Sequence, residues 1–200
     1  MKLYYCPGAC SLAPHIVLEE AGLSFTLERV DLKTHRTESG EDFMAINSKG
    51  YIPALQLDSG TLLTEGAVIS QYLADLKPQA QLIPASGEAR YQLLEWMTFI
   101  STELHKNMGA LFNPAISDDW KAAVTATLTK RINWLSEALG DKNWLNGEGF
   151  TIADAYLFTV LGWSGHVGFS LDKWPALQAY RANIAQRPAV IKAMKAEGLI

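Results

Sequence analysis

The sequence predicts an α/β domain followed by an all-helical one, and three observations carry that reading. Short apolar runs around one helical segment open the chain. Two prolines then break all periodicity between Lys77 and Pro84, and no strand-like alternation returns after Ser86-Gly87.

Leu3-Tyr4-Tyr5 is a short apolar and aromatic strand that Pro7-Gly8 ends. Ser11 to Ala21 follows as a helix with Leu12, Ile16 and Val17 facing inward and Gly22 as its stop. Phe25 to Val30 alternates Phe, Leu and Val with polar residues, the pattern of a half-buried strand. A helical crossover between two strands requires them to run parallel. Between Gly50 and Tyr72 the pattern is a hairpin and a helix start. Ala54, Leu55 and Leu57 form one strand, Asp58-Ser59-Gly60 the reversal and Thr61-Leu62-Leu63 the return. Val68, Ile69, Tyr72 and Leu73 then recur at helical spacing after Thr64-Glu65-Gly66. The hairpin is antiparallel and the crossover parallel, so the sheet is mixed and four-stranded, in the order β-α-β, an irregular or helical segment, then β-β-α. That order is the thioredoxin-like plan.

Residues 1–78 are read as this thioredoxin-like domain, 79–87 as a linker and 88–200 as a C-terminal helical bundle. From Glu88 one long helix carries Leu93, Met97, Ile100, Leu104, Met108 and Leu111 at spacings of three and four and ends at Asn113-Pro114. A second, from Ser117-Asp118, carries Val124, Leu128, Ile132, Leu135 and Leu139 and stops at Gly140. Thr151-Ile152-Ala153-Asp154 is a capping box with Asp in place of Glu, Phe150 is placed as a hydrophobic staple, and a buried helix follows. Trp174-Pro175 and Arg187-Pro188 each open a further helix with proline in its first turn.

Two hundred residues with 48% apolar composition suffice for a packed core. A formal charge of -4, with no basic run longer than Lys130-Arg131, argues against nucleic acid as a partner. The N-terminus has no long apolar stretch and no run spans a bilayer, so a cytoplasmic protein without a membrane partner is expected. In that compartment Cys6 and Cys10 are thiols, and their spacing is not the redox-active C-x-x-C.

Pro53 cannot donate a ladder bond, which leaves the backbone of Tyr51 and Ile52 available to a ligand. The amides of Glu65, Gly66 and Ala67 open the next helix and suit an anion. Cys10 stands where the first helix begins, a placement that lowers a thiol pKa. Thr98, Thr102, His105 and Gly109 form a polar stripe apart from the Leu and Met stripe of the long helix, so His105 faces a cleft. His15, His35 and His166 share no ligand spacing with it, and no metal site is expected.

These features together resemble the glutathione S-transferase superfamily. Pro7-Gly8-Ala9-Cys10-Ser11, Thr102-Glu103-Leu104-His105-Lys106 and Phe150-Thr151-Ile152-Ala153-Asp154 narrow the resemblance to the bacterial beta class, over essentially the whole chain. The resemblance implies that glutathione is the co-substrate. Its γ-glutamyl end would meet Glu65 and Gly66, its cysteinyl part the backbone beside Tyr51, Ile52 and Pro53, and its sulfur Cys10 and His105. It also implies a homodimer in which Thr98 and Glu103 approach the partner's glutathione, and it counts Thr102, Leu104 and Lys106, with His105, among the glutathione-binding residues. The family often has Lys where His35 stands, to meet the glycyl carboxylate, and Asn where Thr98 stands.

The implied reaction is conjugation of glutathione to an electrophilic, mostly apolar compound, a detoxification chemistry. Cys10 and His105 would stabilise the glutathione thiolate as it attacks. Leu111, Phe112, Trp163 and Val167 are candidates either for the electrophile pocket or for the bundle core. A low-pKa Cys10 would also permit a mixed disulfide, and with it thiol-disulfide reductase or peroxidase activity. A third reading keeps the fold as a non-catalytic binding module.

Overall fold

Two units make up the chain in the computed structural model, which describes residues 1–200. One comprises residues 1–85 with 187–200, the other residues 86–186.

The first unit is built on β1 (Lys2–Tyr5), whose Leu3, Tyr4 and Tyr5 are all buried, as a central strand covered on both faces requires. Helix α1 (Leu12–Glu20) crosses over to β2 (Thr26–Asp31), which pairs parallel to β1 with Leu3 opposite Leu27. Two residues, Arg36–Thr37, form β3 on the outer edge of β2. Helix α2 (Phe43–Ile46) leads to the hairpin β4 (Ala54–Gln56) and β5 (Leu62–Thr64), and α3 (Gly66–Asp75) follows. β4 pairs antiparallel to β1, so the sheet is mixed, in the order β3-β2-β1-β4-β5. The fifth strand, beyond the four the sequence suggests, is too short and too polar to show periodicity.

Helix α3 turns Ile69, Ser70, Leu73 and Ala74 inward and leaves Val68 48% exposed, so its buried face is offset by one position from the apolar stripe. Helix α1 is buried at every position from Leu12 to Leu18 because α3 and α9 (Pro188–Ala196) both pack on it. Residues 187–200 are helical as read from sequence, but they belong with the sheet. Val190 and Ala193 are buried there. Arg187 grips Glu20 with Nε at 2.6 Å and Nη2 at 2.9 Å, and Lys192 reaches Glu19 at 2.6 Å.

The second unit begins with α4 (Gly87–Phe99). Leu93, Met97, Ile100, Leu104 and Met108 are buried as the spacing predicts, yet the helix is not uniform. Residues Ile100–His105 form a π-helical turn before α5 (Lys106–Ala110). Helix α6 (Asp118–Leu139) is capped by the Ser117 hydroxyl, which accepts from the Trp120 amide at 3.3 Å, and its five expected core residues are all buried.

Helix α7 (Ile152–Gly162) is the core of this unit, buried at nearly every position. Its capping box is complete: Asp154 accepts from the Thr151 amide at 2.8 Å and the Thr151 hydroxyl at 2.7 Å. The same carboxylate also takes the Leu145 amide at 2.9 Å and the Tyr180 hydroxyl at 2.7 Å, so no oxygen of this buried group is wasted. Tyr180 lies on α8 (Pro175–Ala185), which the capping box thereby ties to α7.

Candidate functional site

In the first unit the turn between β1 and α1 is fastened at both ends. The buried Ser11 hydroxyl accepts from the Cys6 amide and donates to the Cys6 carbonyl, each at 3.2 Å. The Ala9 amide donates to that same carbonyl at 3.1 Å. Gly8 takes the left-handed conformation, φ +70°, and its amide donates to Glu197 Oε2 at 2.8 Å. Glu197 Oε1 accepts from His15 Nδ1 at 2.8 Å, with both side chains wholly buried. A carboxylate from the end of the chain therefore holds the turn that bears Cys10.

Cys10 packs against a cluster of Tyr4, Val30, Phe43, Ile52 and Ala54, and its Sγ donates to the Ile52 carbonyl at 3.4 Å. Burial pushes the thiol up to about 12; the amides of Cys10 and Ser11 favour the anion but do not prevail. This corrects the expectation of a low-pKa thiol. The helix proper starts at Leu12, and desolvation outweighs the pull of its first amides. Burial raises the Cys6 thiol as well.

At the hairpin the Ile52-Pro53 bond is cis. Tyr51 is 56% exposed, and its carbonyl accepts from Asn47 Nδ2 at 2.8 Å as the Ile52 carbonyl accepts from Cys10 Sγ. The amides of both Tyr51 and Ile52 donate to nothing in the chain, so at each position it is the N–H that is available. Helix α3 starts beside Ile52. A Cβ on Gly66 would lie 3.4 Å from Pro53 Cγ, an ordinary van der Waals distance that sets the helix start against the proline. The amides of Gly66 and Ala67 are unpaired within the chain, whereas those of Val68 and Ile69 bond the Glu65 carbonyl at 2.9 Å.

Glu65 itself sits at φ +67°, a conformation that costs a non-glycine residue about 1–3 kcal/mol. Its carboxylate is held by Lys49 Nζ at 2.7 Å, and Lys49 also bonds Thr64 Oγ1 at 3.0 Å. The bond to Glu65 raises the Lys49 pKa. His35 also has positive φ, 53°, and its Nδ1 is buried without a partner. A Cβ on Gly50 would stand 3.3 Å from the His35 ring and 2.7 Å from Met44 Sδ, which shows how closely that turn is packed.

In the helical unit, His105 closes the π-helical turn. Its Nδ1 lies 2.6 Å from the Tyr156 hydroxyl, and its ring meets Trp163 edge-on at 4.9 Å. Burial, aided by the Lys106 charge, draws the imidazole down to about 4, so it is neutral at physiological pH. The polar stripe expected around it is divided. Thr98 and Thr102 are exposed and spend their hydroxyls on the Leu94 and Thr98 carbonyls, at 2.9 and 3.1 Å, while His105 is half-buried. The wider π turn accounts for the divergence, because residues advance around it through a smaller angle than in an α-helix.

Glu103 pairs with Arg131 at 2.5 Å, and Lys106 is exposed. Leu104 is fully buried, which corrects its place among the glutathione contacts: it is a core residue with no side-chain surface to offer. Among the candidates for the electrophile, Trp163 and Val167 are buried, while Phe112 is 51% exposed and meets Trp163 edge-on at 5.9 Å.

Four partners were not found from sequence: Ser11, Lys49, Tyr156 and Glu197. Ser11 carries a local signal, a small hydroxyl residue just before a helix, whereas the other three act over long separations that spacing does not reveal.

The pattern described as Glutathione S-transferase, N-terminal domain, matches residues 7–76, and that described as Glutathione S-transferase, C-terminal domain, matches residues 99–188. The chain is 50% identical to Glutathione S-transferase GstA of Escherichia coli O157:H7, over all of both chains. Its fold matches a sphingomonad glutathione S-transferase solved in complex with glutathione, with TM-score 0.95, 47% identity and full coverage of both chains. The bacterial beta class glutathione S-transferase of Sphingomonas chungbukensis matches with the same TM-score of 0.95, 47% identity and full coverage of both.

Proposed function

The chain belongs to the glutathione S-transferase family, in its bacterial beta class, and we propose a division of labour among its residues in the transferase reaction. The thioredoxin-like unit holds the tripeptide. The unpaired amides of Gly66 and Ala67 receive the γ-glutamyl carboxylate, Glu65 receives the ammonium, and the Ile52 backbone pairs with the cysteinyl residue. His35 Nδ1, buried and unpartnered, stands where the family carries a Lys for the glycyl end.

Cys10 acts as a neutral donor to the glutathione thiolate, its one S–H turning from the Ile52 carbonyl to the incoming sulfur, and His105 is the neutral donor drawn from the helical unit. The observation that carries this reading is the Cys10 thiol bonded to the Ile52 carbonyl, because it brings the sulfur-handling residue to the residue whose backbone would pair with the cysteinyl part. A thiol held near 12 does not favour the mixed-disulfide chemistry of a reductase or peroxidase. The electrophile is a mostly apolar compound, and the protein works as a homodimer in which Thr98 and Glu103 serve the partner's glutathione. The same reading includes a cytoplasmic location.

Glutathione titrated into the reduced protein is expected to bind saturably, with Gly66→Pro weakening it by removing one of the receiving amides. Conjugation of glutathione to chlorodinitrobenzene gives the activity readout. Absence of saturable binding, or affinity unaltered in that variant, would refute the proposed anchoring.

A further inference from the structure

A cavity of about 560 Å³ opens in the helical unit between the chain leaving α7 and the outer part of α8. Arg181 is its only cation, and that side chain is poorly compensated. Its Nε is buried without a hydrogen-bond partner, and no carboxylate lies within ion-pair distance. Its guanidinium carbon rests 5.2 Å from the centroid of the Phe158 ring, and a Cβ on Gly162 would lie 3.4 Å from its Nη2. The fork thus lies between an aromatic face and a residue with no side chain. Burial lowers its pKa accordingly.

Withdrawing a cation from water without a counter-ion costs free energy that an aromatic ring only partly restores. An incoming anion would supply the rest. The cavity also limits what that anion can be. Asp172, its one carboxylate, accepts from Gln178 Nε2 at 3.2 Å and leaves Arg181 unpaired, and its negative charge disfavours a doubly charged ligand. Leu171, Ala182 and Ala185 give the cavity an apolar part.

We propose that this cavity is a second ligand site, independent of the glutathione site, for a small organic carboxylate with an apolar body. The carboxylate pairs with the Arg181 fork, and the apolar body lies against Leu171, Ala182 and Ala185.

Benzoate titrated calorimetrically into the full-length protein tests this, with inorganic phosphate as the second probe. Benzoate is expected to bind one per chain, to do so equally in saturating glutathione, and to bind at least about tenfold more tightly than phosphate. Arg181→Gln should weaken it by about tenfold or more while conjugation activity stays unchanged. Should that variant fail to fold, Ala182→Phe, which fills the cavity from its apolar side, is expected to abolish binding. Absence of saturable benzoate binding, competition by glutathione, phosphate binding as tight as benzoate, or full affinity in a folded Arg181→Gln or Ala182→Phe protein would each overturn the proposal.

Discussion

Cys10 and His105 reach the same electrical state by opposite routes. Burial pushes the thiol up to about 12 and draws the imidazole down to about 4, so between those limits neither carries a charge. Their supports differ. Cys10 is held by backbone, through the Ile52 carbonyl and a turn fastened by Ser11 and Glu197, whereas His105 is held by side chains, Tyr156 and Trp163. In the roles proposed for them, neutral donors would stabilise an incoming thiolate without first giving up a charge of their own.

The largest expected effect strikes the backbone-fixed side at its anchor. Glu197→Ala removes the acceptor that the Gly8 amide and His15 Nδ1 share, and takes the partner from a wholly buried imidazole. A loss of about 1–3 kcal/mol in denaturant unfolding is expected. A loss below about 1 kcal/mol would mean that the turn holds its shape without the carboxylate.

Next comes the thiol itself. Cys10→Ala should lower kcat/KM for conjugation by roughly tenfold to a hundredfold, the worth of one hydrogen bond to a charged sulfur. Abolished activity would show covalent chemistry instead. Tyr156→Phe tests the side-chain-fixed donor with its packing kept. It should lower kcat by about tenfold or less with KM for glutathione little changed, because the hydroxyl orients His105 and does not hold the tripeptide. A fall in glutathione affinity with kcat intact would contradict that role.

The last effect is on stability against pH. The folded imidazole titrates near 4 and the unfolded one near 6.5, so the unfolded chain binds more protons between those values. Stability therefore rises with pH across that window and levels off above it. His105→Gln should flatten that rise in urea unfolding measured at both ends of the window. For Cys10 the sign is reversed: the unfolded thiol ionises from about 9.0 and the folded one near 12, so its contribution falls as pH climbs between them.

What the sequence made legible is what is local. The α6 stripe from Val124 to Leu139 and the Thr151–Asp154 capping box depend on neighbours three to seven residues away, and the structure reproduces both. The β-α-β crossover and the hairpin were legible for the same reason, and they place Cys10, Ile52, Glu65 and Gly66 in one unit. Burial was not legible. Cys10 before a helix suggested a lowered pKa, but the cluster of Tyr4, Val30, Phe43, Ile52 and Ala54 around it, assembled from distant segments, decides the matter the other way. Lys49 beside Glu65 and Glu197 beside Gly8 are likewise tertiary meetings, and the π turn at Ile100–His105 has no signature in a stripe that fits an α-helix equally well.

The neutral thiol is tested most directly by titrating the ultraviolet absorbance of thiolate in ligand-free protein and in Cys10→Ala, the difference isolating Cys10. A donor buried as described predicts no ionisation of Cys10 until the pH is well above the ordinary 9.0, toward about 12. A difference curve with its midpoint at or below 9.0 would contradict it and return Cys10 to the class of reactive thiolates.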